Sequence, residues 1–193
     1  CAMFYDLDDP HSFVKAIKEN LHSEGVWSIQ LSHALLMIKN MNFYDICHEH
    51  LSYYSLKSLS HLMQRNGLYI FDASTNEVNG GSLRVFVTHI ENEKVLNEKN
   101  SSNISNLVRE EEKMGLEKPQ TFLNYYEEMA SLSQKVKSYF DSELDKGNKI
   151  VGLGASTKGN ILLQFFGITK EMMPYISEIN KTKIGLKTLG SDF

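Results

Sequence analysis

The sequence predicts an α/β fold, and three observations carry that expectation. Apolar residues at helical spacing, Phe13, Val14, Ile17 and Leu21, are followed by a short strand-like run from Val26 to Leu31. Two longer strand-like runs, Leu68 to Val78 and Ser82 to Ile90, flank Asn79-Gly80-Gly81, residues that tolerate the positive φ angles of a tight hairpin. A pattern of strand, glycine turn, helix and strand then returns between Lys149 and Ile179.

Along the chain, Asp9-Pro10 supplies an N-cap and a first-turn proline for the opening helix, and Gly25 is its expected end. Val26 to Leu31 carries few charges, as a strand buried inside an α/β sheet does. A short apolar helix from Ala34 to Lys39 leads into the polar run Tyr44 to Tyr54. Leu56, Leu59, Leu62 and Met63 restore helical spacing, with Gly67 placed as a C-terminal stop. After the hairpin, Glu91 to Asn103 is polar without a period and reads as a connector. Helices are expected from Ile104 to Met114, ended by Gly115, and from Gln120 to Lys146. On the second, Phe122, Tyr126, Met129, Leu132, Val136, Tyr139 or Phe140, and Leu144 mark one apolar stripe, which reads as core. The last segment reads as strand Lys149–Gly152, helix Lys158–Phe166 and strand Tyr175–Ile179.

The chain has 193 residues, 41% hydrophobic and 23% charged, enough for one large core or two small ones. A formal net charge of −4 offers no positive field for a nucleic-acid backbone or an anionic membrane, so neither partner is expected. The two cysteines, Cys1 and Cys47, cannot build a disulfide framework or a cysteine-rich zinc site and fit a reducing cytoplasm. Ala34–Ile38 and Ile161–Ile168, the longest apolar stretches, are far short of a membrane span, and no signal-peptide pattern opens the chain. The expected location is cytoplasmic. The chain starts at Cys1-Ala2-Met3 and stops at Asp192-Phe193, which reads as a piece of a longer protein.

Three constellations can carry chemistry. Cys47-His48-Glu49-His50, followed by Ser52, Tyr53 and Tyr54, offers a general base, an orienting carboxylate and hydrogen-bond donors. Histidine suits proton abstraction because its ordinary pKa is about 6.5. If the segment is extended, His48 and His50 share one face and Glu49 points away. No HExxH helix and no familiar ligand spacing supports a metal here, and the same residues also serve a purely structural reading in which the histidines cap loops. The second constellation is Gly152-Leu153-Gly154-Ala155-Ser156-Thr157-Lys158-Gly159-Asn160 between a strand and a helix. Small residues and free amides at a helix start favour phosphate or nucleotide, with Lys158 adding charge. The order fits neither a Walker loop nor a clean GxGxxG, so a merely tight turn stays open. The third is Asn79-Gly80-Gly81-Ser82-Leu83-Arg84, which a hairpin turn already accounts for, although Arg84 can also reach an anion.

In order and spacing, Met3-Phe4-Tyr5-Asp6-Leu7-Asp8-Asp9-Pro10, the run Tyr44 to Leu56, Asn79-Gly80-Gly81-Ser82 and Gly152 to Asn160 resemble the S-adenosylmethionine-dependent sugar-nucleotide C-methyltransferases. That resemblance implies a partial Rossmann-like methyltransferase domain over residues 1–91. Bridging helices and the opening of a Rossmann-like C-terminal domain would then occupy residues 92–193. It also implies removal of the proton α to a ketone on a keto-deoxysugar nucleotide, with attack of the enolate on a sulfonium methyl. His50 is then the candidate base, assisted by Glu49 and His48. Tyr53, Gly80, Gly81, Ser82, Gly152, Gly154, Ala155, Lys158, Gly159 and Asn160 would contact the nucleotide sugar, and Phe4 and Tyr5 the cofactor S-adenosyl-L-methionine. Some relatives have an aromatic residue where Cys47 stands, so a phenol role there would pass to Tyr53 or Tyr54. Zinc is expected only upstream of Cys1, as is the cofactor's glycine-rich loop, and the chain by itself is expected to be inactive. Set against this is a nucleotide- or NAD(P)-binding module without methyl transfer.

Overall fold

A computed structural model describes residues 1–97 and 101–193, and it divides into two compact units, 1–122 and 123–193. The first is built on an antiparallel sheet of β1 (Trp27–Ser32), β2 (Leu68–Asn76) and β3 (Ser82–His89) in the order β1-β3-β2. Its register pairs Ile29 with Val85 and Thr75 with Leu83, and a bulge at Ile70/Asp72 leaves Phe71 out of the ladder. β1 is therefore an edge strand of an antiparallel sheet, not an inner strand of a parallel one. Its low charge reflects packing of Ile29 and Leu31 on the core rather than burial on both faces.

The helices follow their sequence signals closely at their starts. α1 (Pro10–Asn20) is capped by Asp9, whose carboxylate accepts from the amides of His11 and Ser12. It stops at Asn20 rather than running to Gly25, because Leu21 is already extended. α2 is Ala34–Lys39, and α3 is Leu56–Arg65, followed by Gly67 at φ +72°. The stretch read as a connector holds a short helix, α4 (Glu93–Asn97), and the first turn of α5 (Ser101–Met114); residues 98–100 of that reading lie outside the described residues. α3 and α5 pack on β2. Leu56, Leu59, Met63, Leu68, Leu83, Val85 and Val87 are fully enclosed, and Ile104, Leu107 and Val108 of α5 pack against them. By packing, the first compact unit extends to Phe122. The physical reason is that α5 completes the core of the first unit.

α6 (Pro119–Asp145) runs across the division. Its buried residues are Tyr125 and Met129, while Phe122, Tyr126 and Tyr139 are exposed, so the expected stripe is core only in part. Apolar spacing marks a face of a helix but does not say whether anything covers it. The second unit adds β4 (Gly152–Leu153), α7 (Thr157–Phe166) and β5 (Ile176–Ser177), with β4 and β5 parallel. The two strands are shorter than the runs read from sequence. The chain is thus mixed α/β; among the described residues the parallel strand pair lies in this last unit, and the first unit holds one isolated parallel bridge, His33 to Tyr54. No helix among the described residues is long and apolar enough to cross a membrane.

Candidate active site

The loop carrying His48, Glu49 and His50 leaves a 3-10 turn at Phe43–Asp45 and ends at Tyr54, which bridges to His33. The His50 amide donates to the Cys47 carbonyl at 3.2 Å, so residues 47–50 form a turn and not an extended strand. The alternation that would separate Glu49 from the two histidines therefore does not apply. His48 and Glu49 are exposed, and His50 is half-buried.

His50 is held by aromatic contacts from both sides of the loop. Its ring centroid lies 4.1 Å from that of Tyr5 and 6.5 Å from that of Tyr53. The Tyr5 carbonyl accepts from the amides of Leu51 and Ser52 at 2.9 and 3.1 Å, tying the opening segment to the loop just after His50. Burial first, then the negative charges of Asp6 and Asp45, hold the Tyr5 phenol above the ordinary tyrosine range. It therefore stays protonated at neutral pH. Burial likewise raises the Tyr53 phenol, which donates to the Asp45 carbonyl at 3.4 Å.

Phe4 and Tyr5 are spent mainly on packing. Phe4 is 2% exposed, enclosed by Phe13, Trp27 and Tyr54, and Tyr5 is 7% exposed. Neither ring offers an open face on which an adenosyl group could lie, so as placed they do not fit direct contact with the cofactor. Among the described residues no group of three or more His, Cys, Asp or Glu could hold a metal ion.

The hairpin turn is joined to the same region by side chains. Asn40 Nδ2 donates to the Gly80 carbonyl at 2.9 Å, Asn42 Nδ2 donates to the same oxygen, and the Tyr44 hydroxyl donates to Asn42 Oδ1 at 2.7 Å. Tyr44 belongs to the 3-10 turn that opens the histidine loop. A Cβ on Gly80 would lie 2.5 Å from Asn42 Nδ2, and one on Gly81 would lie 2.7 Å from Leu36 Cβ, with φ at +84° and +137°. The two glycines are thus required by turn geometry and close packing. Ser82 is buried and donates to the Val78 carbonyl at 2.8 Å. Arg84, left open as an anion contact, donates to Gln30 Oε1 through Nε and Nη2 at 3.1 and 2.7 Å.

In the second unit the glycine turn has several polar groups already engaged. The Ala155 amide donates to Glu178 Oε2 at 2.7 Å, Lys183 Nζ donates to the Ala155 carbonyl at 2.7 Å, and the Gly159 amide donates to Ser156 Oγ at 3.0 Å. Asn160 Oδ1 accepts from Ser191 Oγ at 3.2 Å, and Lys158 is half-buried. Gly154, at φ +85°, has open space where its Cβ would be, whereas a Cβ on Gly152 would meet Ile176 Cγ1 at 2.9 Å. Gly154 is needed for conformation and Gly152 for contact with β5. Glu178 places a carboxylate on the amide an anionic ligand would seek.

Two residues that sequence reading missed lie at the base of the histidine loop. His33 Nε2 donates to Glu111 Oε1 at 2.8 Å, with His33 1% and Glu111 4% exposed. Glu111 Oε1 also accepts from the Leu56 amide at 2.5 Å, and its Oε2 from the Lys57 amide at 3.2 Å. In the sequence Glu111 is the middle of a run of three glutamates, a pattern that ordinarily marks a solvated helix face. Asn40 and Asn42 were missed likewise, since nothing in one sequence ties them to a turn 40 residues away.

An α/β chain with a histidine loop, an Asn-Gly-Gly turn and a glycine turn before a parallel strand agrees with the comparison to known proteins. A family model, the C-methyltransferase C-terminal domain, matches residues 77–193, and the chain belongs to that family. The chain is also similar to the C-methyltransferase NovU of Streptomyces niveus, at 26% identity over 188 residues. The match covers 97% of this chain and 44% of that relative, so the chain spans less than half the length of the curated relative it matches. The family match begins at Glu77, inside the first compact unit, and so includes α5 with its Glu111.

Proposed function

We propose that this chain is the part of an S-adenosylmethionine-dependent C-methyltransferase that removes a proton from a keto-deoxysugar nucleotide. In this reading residues 1–91 are the latter part of a Rossmann-like methyltransferase domain, and residues 92–193 bridge to and open a Rossmann-like C-terminal domain. The observation that carries it is the placement of His50, half-buried and in tilted ring contact with Tyr5 in a loop tethered at both ends. A base held at a hydrophobic margin keeps a fixed direction and an accessible nitrogen, which abstraction of a proton α to a ketone requires. Glu49 and His48, exposed on the same turn, orient the sugar and offset charge on the base, and Tyr53 donates beside them.

The cofactor supplies the electrophilic methyl group when bound. Phe4 and Tyr5 support that site only indirectly, by shaping the loop. The nucleotide portion is assigned to the turn Gly152–Asn160, where an anion would take the Ala155 amide from Glu178. A nucleotide- or NAD(P)-binding module without methyl transfer is not favoured, because the family and the relative are both C-methyltransferases.

The test uses the complete gene product with methyl-labelled S-adenosylmethionine and a panel of keto-deoxysugar nucleotides. Label is expected on a sugar carbon, and His50→Ala should lower the rate by roughly 10²–10⁴-fold. No transfer to any sugar, or an unchanged rate in His50→Ala, would overturn the reading.

A further inference from the structure

The buried pair His33–Glu111 takes no direct part in the chemistry just described, yet it sits where three pieces of the first unit meet. Glu111, on α5, accepts from the first two amides of α3, those of Leu56 and Lys57, and from His33 on the segment entering α2. The backbone of His33 bridges to Tyr54, and the Ala34 amide donates to the Tyr54 carbonyl at 3.0 Å. Tyr54 is buried against Phe4, with ring centroids 5.4 Å apart, and the neighbouring Tyr5 holds the loop at Leu51 and Ser52 and lies against the His50 ring.

The histidine loop is therefore clamped at its end by the carboxylate of Glu111, 55 residues beyond Leu56 in the sequence. A buried ionisable pair is a poor way to gain stability, since apolar side chains of like volume commonly serve as well or better. Its value is directional, because a carboxylate fixed by three donors defines where each of them must lie. His33 Nδ1 is buried without a hydrogen-bond partner among the described residues, so the ring is held from one side only, through Glu111.

We infer that His33 and Glu111 are positioning residues that fix the His48–His50 loop, so that α5 must be docked for His50 to stand against Tyr5. The inference rests on His50 being the base, but its geometry is testable without turnover. In the 193-residue chain, NMR reports the Tyr5–His50 contact as a ring-current shift of the His50 Hε1 resonance and a cross-peak between the two rings. Glu111→Leu, which fills the space and removes the acceptors, should abolish the cross-peak and move the resonance toward its exposed-histidine position. Glu111→Gln, which keeps one acceptor, should restore most of both.

Val87→Ala, a core truncation in β3 that removes no hydrogen bond of this network, controls for loss of stability and should leave both signals in place. Should Glu111→Leu fail to fold, His33→Leu leaves Glu111 its two α3 amides and is read in the same way. In the complete gene product, Glu111→Leu should lower kcat ten- to a hundredfold with KM little changed, the loss expected for a misplacement of about 1 Å. An unmoved His50 signal in a folded Glu111→Leu or His33→Leu variant overturns the inference, as does an equal effect of Val87→Ala. If the unaltered protein transfers no methyl group, the proposed function fails while the NMR comparison still decides the positioning role.

Discussion

Gly80 illustrates how much can rest on one backbone atom. At φ +84°, with Asn42 and Tyr44 where a methyl group would go, Gly80→Ala combines backbone strain with a clash and should destabilise the first unit by about 1–3 kcal/mol, measured as a lower urea midpoint. The loss should spread to the 3-10 turn at Phe43–Asp45, because Asn42 joins the two. Glu178 offers a second check at this scale. Its carboxylate accepts from the amides of Asn180 and Ala155, which hold it below the ordinary glutamate value of 4.5. With the folded value depressed, that contribution is present above pH 4.5 and is lost as pH falls through the lower folded value. The Ala155 and Asn180 amide resonances should therefore titrate together below pH 4.5, and Glu178→Gln should remove the titration.

At the scale of elements, α3 shows how local and distant groups share one task. Its first helical amides need acceptors that the helix cannot provide. Ser55 Oγ accepts from the Ser58 amide, and Ser58 Oγ accepts from the Ser55 amide, a capping box closed within four residues. Leu56 and Lys57 are served by Glu111 from α5. Ser55→Ala should cost about 1 kcal/mol by thermal or chemical melting, since only the local half of the cap is lost. The start of α1 is readable from Asp9-Pro10, a cap and first-turn proline written side by side, whereas α2 and α3 are readable from apolar runs and spacing. The connector was misread because the short helix Glu93–Asn97 has too few turns for a period to emerge.

For the molecule as a whole, the two units differ in how much they bury. The first encloses a continuous cluster from Phe4 to Val87, whereas buried apolar residues of the second are few, among them Ile168 and Met173. Hydrogen exchange should therefore protect β1, β2, β3 and α3 most strongly, with α7 and β5 exchanging through smaller openings. Equal protection across both units would contradict this difference in burial.

By itself the sequence determined the starts of the first helices, the hairpin with its glycines, the strand, glycine turn, helix and strand near the end, and the residues that liken the chain to a methyltransferase. Each of those signals is local, encoded in periodicity, capping or turn chemistry within a few positions. Tertiary structure alone decided that β1 is an antiparallel edge, that only part of the α6 stripe is covered, and that Phe4 is enclosed. It alone drew Glu111 out of an acidic run to meet His33 and the start of α3. The physical reason is common to all four: burial and hydrogen-bond partnership depend on which distant segments arrive, and a side chain's neighbours in space are not written beside it in the chain.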